Sequence, residues 1–267
     1  MRRNPPRRKR RPSRNGWVKR LDRLEGGRRL RRGGFMLSAF LSLLYPPRCL
    51  VCRALGESGL CAACLGRILP VAAPQCPTCG QTIAASEGGC LHCHLRRPAY
   101  DRARALGAYE GVLRAAIHQF KYRDRPQLAA PLGSRLAAFA RQSAPDLNGL
   151  RFDALLPVPI HTIRRRQRGY NQSERLARVV AGELGLPLLT DALVRIRATR
   201  PQVGLTGEAR RTNLSGAFAV RRPEAVLGRT LLLIDDVVTT GSSLYECTIV
   251  LKACGAKAVY ALTLAAG

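Results

Sequence analysis

Residues 230–244 read TLLLIDDVVTTGSSL, and this stretch decides how the rest of the chain is interpreted. Residues 231–234 form an unbroken apolar run, which is typical of a strand buried on both faces of a parallel sheet. Asp235 and Asp236 follow, and we expect them to end the strand and to open into a crevice, because buried charges without partners are costly. A loop rich in hydroxyl groups, with one glycine, then leads into residues that recur at helical spacing.

The loop of residues 238–243 is expected to enter a helix N-terminus, where free backbone N–H groups and the helix dipole favour an anion. Its hydroxyl side chains suit a phosphate monoester, while the carboxylates suit ribose hydroxyls or a hydroxyl pair associated with Mg²⁺. The Walker lysine and the pattern G-x-G-x-x-G are absent, which argues against triphosphate and dinucleotide sites. Because neighbouring strand residues point to opposite faces, Asp235 and Asp236 can share a ligand only if the strand has ended at one of them.

This stretch resembles the phosphoribosyl-pyrophosphate (PRPP) signature of type I phosphoribosyltransferases. In that family the acidic pair contacts the 2′- and 3′-hydroxyls of the ribose, and the loop after it holds the 5′-phosphate. The resemblance therefore implies a PRPP site at eight residues: Asp235, Asp236, Val238, Thr239, Thr240, Gly241, Ser242 and Ser243. It also implies Mg²⁺ as the metal that accompanies PRPP.

The composition is that of a strongly basic chain of 267 residues with a formal net charge of +28. This length is enough for one α/β domain of about 150 residues and a smaller module. The charge indicates anionic partners, which are phosphorylated substrates, nucleic acid or a membrane surface. Aromatic residues make up only 5% of the chain, so a stacking platform for single strands is not obvious. No run of about eighteen apolar residues exists, which predicts that no segment spans a membrane.

Residues 1–35 are predicted to form a basic, disordered arm, because residues 1–34 hold fifteen lysines or arginines and only two acids. Two interpretations of this segment are open. It is a nucleic-acid-binding arm, or it belongs to a reading frame that begins upstream of the natural start at Met36. The apolar residues 35–45 follow positive charge, as in an export signal, but the run is short and no A-x-A cleavage site follows it.

Eight of the ten cysteines form four C-x-x-C pairs within residues 36–98, which we interpret as a double zinc-ribbon module. The predicted metal ligands are Cys49, Cys52, Cys61, Cys64, Cys76, Cys79, Cys90 and Cys93. Two such pairs close a tetrahedral Cys₄ site, so the module is expected to hold two structural zinc ions. Neighbouring pairs can share an ion, or the pairs can interleave. His92 and His94 are interpreted as bystanders, and the reduced thiolates indicate a cytoplasmic protein.

Residues 99–267 are predicted to form an α/β domain, with strands at 103–109, 152–160 and 258–264 and amphipathic helices between them. In the first of these helices, Arg114, His118 and Lys121 lie on the face predicted to be solvated. Residues 161–171, HTIRRRQRGYN, follow a strand as a basic turn and are predicted to bind an anion at the same sheet edge as the acidic pair. Residues 193–220 are predicted to form a two-stranded excursion with a basic, glycine-hinged middle, as in an active-site lid. The anion-binding candidates in these two segments are Arg164, Arg166, Arg168, Arg200 and Arg210.

The order of motifs along residues 37–265 resembles the ComF/GntX family of competence-associated proteins. The motifs are YPPRCLVC, repeated C-x-x-C, FKYR, LLPVPIH, RRRQRGYNQ, RPQVGLTGEARRTNL and LLLIDDVVTTGSSL. The resemblance implies a double zinc ribbon fused to a type I phosphoribosyltransferase-like, Rossmann-like parallel sheet. It also implies a cytoplasmic role in handling imported single-stranded DNA, with PRPP, that DNA and the competence helicase machinery as partners.

Three functions are compatible with these residues. The first is an enzyme that binds PRPP with Mg²⁺ and displaces pyrophosphate, with an acceptor that the sequence does not identify. The second is a nucleic-acid-binding accessory factor that keeps the fold without turnover, which the basic composition and the ribbons favour. The third is a regulator that senses PRPP and does not react.

Overall fold

The structure is a computed structural model, and it describes residues 46–57, 59–83, 89–142, 147, 149–198 and 213–267. The predicted basic arm, Met36, the apolar residues 35–45 and the middle of the predicted lid, with Arg200 and Arg210, lie outside the described residues. Residues 47–267 belong to one compact unit. Within the described ranges, none of the helices combines the length and the apolar character that crossing a membrane would require.

The larger part of the chain is built on a four-stranded parallel sheet in the order β1–β6–β5–β2. Its strands are β1 (Arg102–Ala108), β2 (Ala154–Pro157), β5 (Thr230–Val238) and β6 (Ala258–Ala266). The strands β3 (Leu193–Arg195) and β4 (Phe218–Val220) form a separate antiparallel pair. This pair lies at the two ends of the predicted excursion. The prediction of an α/β fold with a parallel sheet is confirmed.

Helices cover both faces of the sheet. The two short helices of the cysteine-rich region are α1 (Ala62–Gly66) and α2 (Leu91–Leu95). The others are α3 (Gly111–Tyr122), α4 (Ala129–Gln142), α5 (Thr162–Arg168), α6 (Gln172–Leu184) and α7 (Ser242–Ala253). Alternate residues of β5 enter different hydrophobic clusters, with Leu232 packing in the cluster of α3, α4 and α6 and Leu233 in that of α7. This alternation is expected for a strand buried on both faces.

The strand β5 continues through the acidic pair, so the expectation that the acids end it is wrong. Asp235 pairs in register with Thr263 of β6, and Val237 pairs with Ala265. Pairing with β6 therefore keeps the backbone extended as far as Val238. The physical reason that charged residues are tolerated within the strand is that other side chains contact them, as described below.

The basic stretch after β2 is also different from its prediction, since residues 162–168 form the helix α5 and not a turn. His161 caps this helix, because its Nδ1 accepts a hydrogen bond of 3.3 Å from the backbone N–H of Ile163. Gly169 ends the helix in a left-handed conformation with φ of 76°. Glycine adopts this conformation without the steric cost that a Cβ atom adds.

The cysteine-rich region covers the edge strand β1. The backbone N–H of Ala103 donates to the carbonyl of Thr78 at 2.8 Å, and that of Ala108 donates to Leu69 at 2.9 Å. Three of the first four cysteines, Cys49, Cys61 and Cys64, contribute to the hydrophobic cluster on one face of the sheet, and the second four belong to or pack against the cluster on the other face. Because a sheet edge exposes unpaired backbone groups, this covering stabilises the edge and joins the region to the sheet.

Candidate functional site

The eight paired cysteines form two groups of four, and within each group all sulfur atoms lie within 4.8 Å of one another. The groups are Cys49, Cys52, Cys61 and Cys64, and Cys76, Cys79, Cys90 and Cys93. Neighbouring pairs therefore come together, and the interleaved alternative is excluded. His92 and His94 are not members of either described group.

The spacing of the thiols fits zinc. The Sγ–Sγ distances are 3.7 Å for Cys49–Cys64 and 3.6 Å for Cys76–Cys93. A tetrahedron with Zn–S bonds of about 2.3 Å has edges of about 3.8 Å, so little movement is needed to hold an ion. A Cys₄ set leaves no open coordination position, which makes both sites structural.

A cavity of about 860 Å³ lies where β1, β2 and β5 end. In parallel α/β sheets, ligands bind outside the carboxyl ends of the strands, so this is the expected position of a site. Its charged and hydroxyl lining includes Lys121, Arg164, Arg168, Ser173, Arg195, Asp235, Asp236, Thr239 and Ser243. The acidic pair and the basic stretch after β2 are thus brought together, as predicted from the sequence.

The two carboxylates of the acidic pair line this same cavity although β5 continues through them. Asp235 Oδ1 accepts a hydrogen bond of 2.8 Å from Ser173 Oγ, at the start of α6. Asp236 Oδ1 lies 2.8 Å from the ammonium nitrogen of Lys121, in the last turn of α3. Both partners belong to helices of the same layer, so the ends of the two acidic side chains are contacted from one side of the sheet.

Burial and neighbouring charges shift the pKa values of Asp235 and Lys121. Burial, followed by the charge of Asp236, raises the pKa of Asp235 to about 7. Burial disfavours the charged form of Lys121, but the carboxylate of Asp236 outweighs this effect, and the pKa of Lys121 is raised. The cavity thus holds one carboxyl group whose pKa is near neutral, beside the ion pair of Lys121 and Asp236.

Lys121 is a site residue that the sequence reasoning missed, because helical spacing placed it on the solvated face with Arg114 and His118. In the structure its side chain is only 17% exposed, while Arg114 and His118 are exposed as predicted. The error arises because Lys121 lies in the last turn of α3, where its side chain reaches Asp236 of β5. The available signal was its position inside the FKYR motif.

Two of the three predicted arginines in α5 line the cavity. Arg164 and Arg168 are four residues apart and share one side of the helix, whereas Arg166 is exposed and does not line it. Arg195, at the end of β3, lines the cavity as well and was not predicted. Burial and the nearby charge of Arg164 lower the pKa of Arg195 to about 10, which shows how closely the cations are gathered.

The segment Tyr170–Asn171–Gln172–Ser173 fixes the basic wall of the cavity to its neighbours. The Tyr170 hydroxyl donates to the carbonyl of Phe120 in α3, and Asn171 Nδ2 donates to the carbonyl of Val158 at 3.1 Å. Gln172 is 1% exposed and lines the cavity, and its Oε1 accepts a hydrogen bond of 3.2 Å from Arg168. Among the residues that the structure describes, none is a hydrogen-bond partner of its Nε2. A buried donor without a partner is costly, so this atom marks a place for a ligand.

The loop after β5 has the form of an anion site. Gly241 has φ of 67°, and a Cβ atom there would also lie 3.2 Å from the Tyr100 hydroxyl, so glycine is strongly favoured at this position. The helix α7 that follows has no side-chain cap, unlike α6, whose first turn is capped by Asn171. The first N–H groups of α7 are therefore available to an anion.

The predicted loop residues divide between two cavities. Thr239 and Ser243 line the large cavity, whereas Val238, Thr240 and Gly241, again with Thr239, line a small one next to the second cysteine group. Ser242 is buried, and its hydroxyl lies 2.8 Å from that of Thr240. On the small-cavity side, Gln81 Nε2 donates to the carbonyl of Thr239 at 3.3 Å. The second ribbon therefore contacts the loop directly.

Comparison with known proteins gives matches over most of the chain. Residues 40–94 match the family model of the double zinc ribbon domain, which confirms that part of the fold prediction. The chain is 32% identical over 224 residues to competence protein F of Haemophilus influenzae, covering 82% of this chain and 96% of that protein. It is 35% identical over 221 residues to DNA utilization protein YhgH of Escherichia coli K12, covering 81% and 96%.

Among solved structures, the chain is similar to the glutamine PRPP amidotransferase from B. subtilis complexed with ADP and GMP. The identity is 16% and the TM-score is 0.38. The similarity covers 55% of this chain and spans only 30% of that protein.

Proposed function

This chain belongs to the ComF/GntX family of competence-associated proteins, and from that premise we propose that it binds PRPP with Mg²⁺ and handles imported single-stranded DNA in the cytoplasm. The observation that best supports PRPP binding is that three kinds of group lie around one cavity. Acidic residues, cations and an uncapped helix N-terminus lie together at the carboxyl ends of the strands.

Each part of PRPP has a matching group in the cavity. We assign the ribose hydroxyls to the carboxylates of Asp235 and Asp236, and the 5′-phosphate to the Thr239–Ser243 loop. The pyrophosphate is assigned to Arg164, Arg168 and Arg195, whose guanidinium groups are suited to bidentate phosphate contacts. Because the acids and these arginines are assigned to different parts of PRPP, the ligand has a single orientation.

Mg²⁺ fits the oxygen donors on the acidic side of the cavity, since carboxylate and hydroxyl oxygens are its preferred ligands. When bound with PRPP, Mg²⁺ would neutralise part of the negative charge of the pyrophosphate group. The arginines of the cavity act in the same sense, because fixed cations stabilise the negative charge that develops on a leaving pyrophosphate. The reaction that this arrangement supports is substitution at ribose C1, in which a nucleophilic acceptor forms a bond to C1 as the bond from C1 to the pyrophosphate oxygen breaks and pyrophosphate leaves.

Calorimetric titration of the zinc-loaded protein with PRPP and Mg²⁺ tests the assignment. We expect Asp235→Asn combined with Asp236→Asn to lower the affinity by about tenfold or more, because two acceptors of ribose hydroxyls lose their charge. Glu57→Gln, an exposed acid of the first ribbon, serves as the control and should leave the affinity unchanged. Equal affinities for wild type and the double variant would refute PRPP binding at this site.

The nucleic-acid part of the proposal is supported by the net charge of +28 and by the names of the relatives in competence and DNA utilization. Its measurable signature is a steep loss of affinity for single strands as salt increases, because bound cations release counterions from the phosphates. A non-catalytic accessory factor would show this binding without consuming PRPP. A helicase of the competence machinery is the proposed protein partner.

A further inference from the structure

A third cavity, of about 740 Å³, lies between the first zinc ribbon and α3, and we call it the basic groove. It is distinct from the large cavity assigned to PRPP, which we call the PRPP crevice. Its polar lining consists of Arg53, Arg114, His118, Gln119, Arg123 and Arg125. The four arginines come from different parts of the chain, one from the ribbon and three from α3 and the residues after it. No acidic side chain is part of the described lining.

The arginines of the basic groove are available to a ligand. Arg53, Arg114, Arg123 and Arg125 are all exposed, and none of them forms an ion pair with an acid of the described chain. By contrast, some other arginines of the described chain do pair with an acid, as Arg178 does with Glu174 at 2.7 Å. Four like charges gathered around one concave surface repel each other, and a polyanion relieves that repulsion.

The groove has fixed walls. Arg53 follows the second cysteine of the first knuckle and has φ of 67°, a left-handed conformation that is unusual for arginine. Gln119 Nε2 donates to the carbonyl of Leu50, and this hydrogen bond ties α3 to the same knuckle. Because Cys49 and Cys52 hold the knuckle in the first zinc group, the position of Arg53 relative to α3 depends on the ribbon.

The last turns of α3 separate the basic groove from the PRPP crevice and connect them through two aromatic rings. His118 lines the groove, Tyr122 lines the crevice, and their ring centroids are 5.0 Å apart. Tyr122 is 49% exposed, and the guanidinium carbon of Arg168 lies 5.0 Å from the centre of its ring. A flexible chain lying in the groove would therefore pass an exposed aromatic face on its way to the crevice.

We propose that the basic groove binds the backbone of a single-stranded nucleic acid, with phosphates on its four arginines and an unpaired base against Tyr122. This inference rests on the nucleic-acid part of the proposed function and gives it a location. A single strand fits better than a duplex, because only unpaired bases can stack on an aromatic side chain. The groove also brings the strand beside the PRPP crevice, where one of its ends can enter.

The test is fluorescence anisotropy of a labelled deoxythymidine oligonucleotide with the full-length, zinc-loaded protein across a series of salt concentrations. Arg114→Ala combined with Arg123→Ala should weaken binding about tenfold at low salt. It should also reduce the slope of log affinity against log salt by about 1.4, since each phosphate contact to a single strand contributes about 0.7. Tyr122→Ala should weaken single-strand binding roughly tenfold and leave duplex binding unchanged.

The matched control is Arg135→Ala combined with Arg151→Ala, which removes the same charge from two exposed arginines that line neither cavity. It also keeps any contribution of the basic N-terminal residues constant. Equal losses in the groove variant and this control would overturn the groove assignment while leaving nucleic-acid binding intact. If the affinity of the wild-type protein did not depend on salt, the nucleic-acid part of the proposed function would be refuted. If Tyr122→Ala weakened duplex and single-strand binding equally, the single-strand assignment would be refuted.

Discussion

The ammonium nitrogen of Lys121 lies 2.8 Å from Asp236 Oδ1, and the two side chains are only 17% and 11% exposed. The pair joins the last turn of α3 to the carboxyl end of β5. Removing two charges from water is expensive, and their mutual attraction offsets this cost only while both are present. Each of the two charges therefore offsets the desolvation cost of the other in the wall of the PRPP crevice.

Lys121→Met should consequently lower the free energy of unfolding by about 3 kcal/mol, because it leaves the carboxylate of Asp236 buried without its partner. Adding Asp236→Asn should restore part of that loss, which a double-mutant cycle with urea unfolding would measure. The control is Lys252→Met, since Lys252 pairs with Asp101 at 3.0 Å with both side chains more than a third exposed. Its loss should stay below about 1 kcal/mol. A similar loss in both variants would mean that burial does not strengthen the Lys121 pair.

Much of this site could be predicted from sequence because its parts follow local patterns. The apolar run before Asp235, the glycine of the loop and the arginines after β2 each belong to a short segment with its own periodicity. The pairing of the zinc ligands could not be decided, because C-x-x-C spacing defines a knuckle and not its partner. The contact between Gln81 and Thr239 spans 158 residues, so only the packing of the ribbon against the sheet determines it.

The raised pKa of Asp235, about 7, makes the stability of the protein depend on pH in a specific direction. The unfolded chain ionises this carboxyl at the ordinary value near 4, so between about pH 4 and pH 7 the folded state binds the extra proton. Ionising Asp235 therefore reduces the free energy of unfolding as pH rises through this window, and the penalty is complete above about pH 7. Asp235→Asn removes the penalty.

We expect the stabilisation by Asp235→Asn, relative to wild type, to be larger at pH 8 than at pH 6 by about 1 kcal/mol. Urea unfolding of both proteins at the two pH values measures this difference, in which the titration of groups distant from Asp235 cancels. The exposed Asp153→Asn provides the comparison for a carboxyl of the same type. A stabilisation that is the same at both pH values would show that Asp235 ionises normally.

The hydrogen bond from Gln81 to the carbonyl of Thr239 predicts that the second ribbon supports the phosphate loop. Gln81→Met fills a similar volume but removes the donor, so we expect PRPP affinity to fall about fivefold while two zinc ions remain bound. Thr82→Ala is the matched control, because the Thr82 hydroxyl donates to Ala72 within the same ribbon. Titration with PRPP and zinc analysis of both variants test this prediction. If the two variants bind PRPP with equal affinity, the second ribbon does not support the phosphate loop.

Substitution of Gln172 distinguishes whether this side chain stabilises the fold or binds the ligand. Its side chain is buried, its Oε1 accepts a hydrogen bond from Arg168, and its Nε2 has no partner within the described part of the chain. Since an unsatisfied buried donor costs about as much as a hydrogen bond contributes, Gln172→Met should change the free energy of unfolding by less than about 1 kcal/mol.

The same substitution should weaken PRPP binding about tenfold if Nε2 donates to the ligand, because about 1.4 kcal/mol corresponds to a factor of ten. Gln172→Glu should weaken it further, since a carboxylate in that position repels phosphate. The exposed Gln142→Met controls for the loss of an amide elsewhere on the surface. The reverse pattern, a loss of several kcal/mol in stability with unchanged affinity, would show that Gln172 only supports Arg168 and the start of α6.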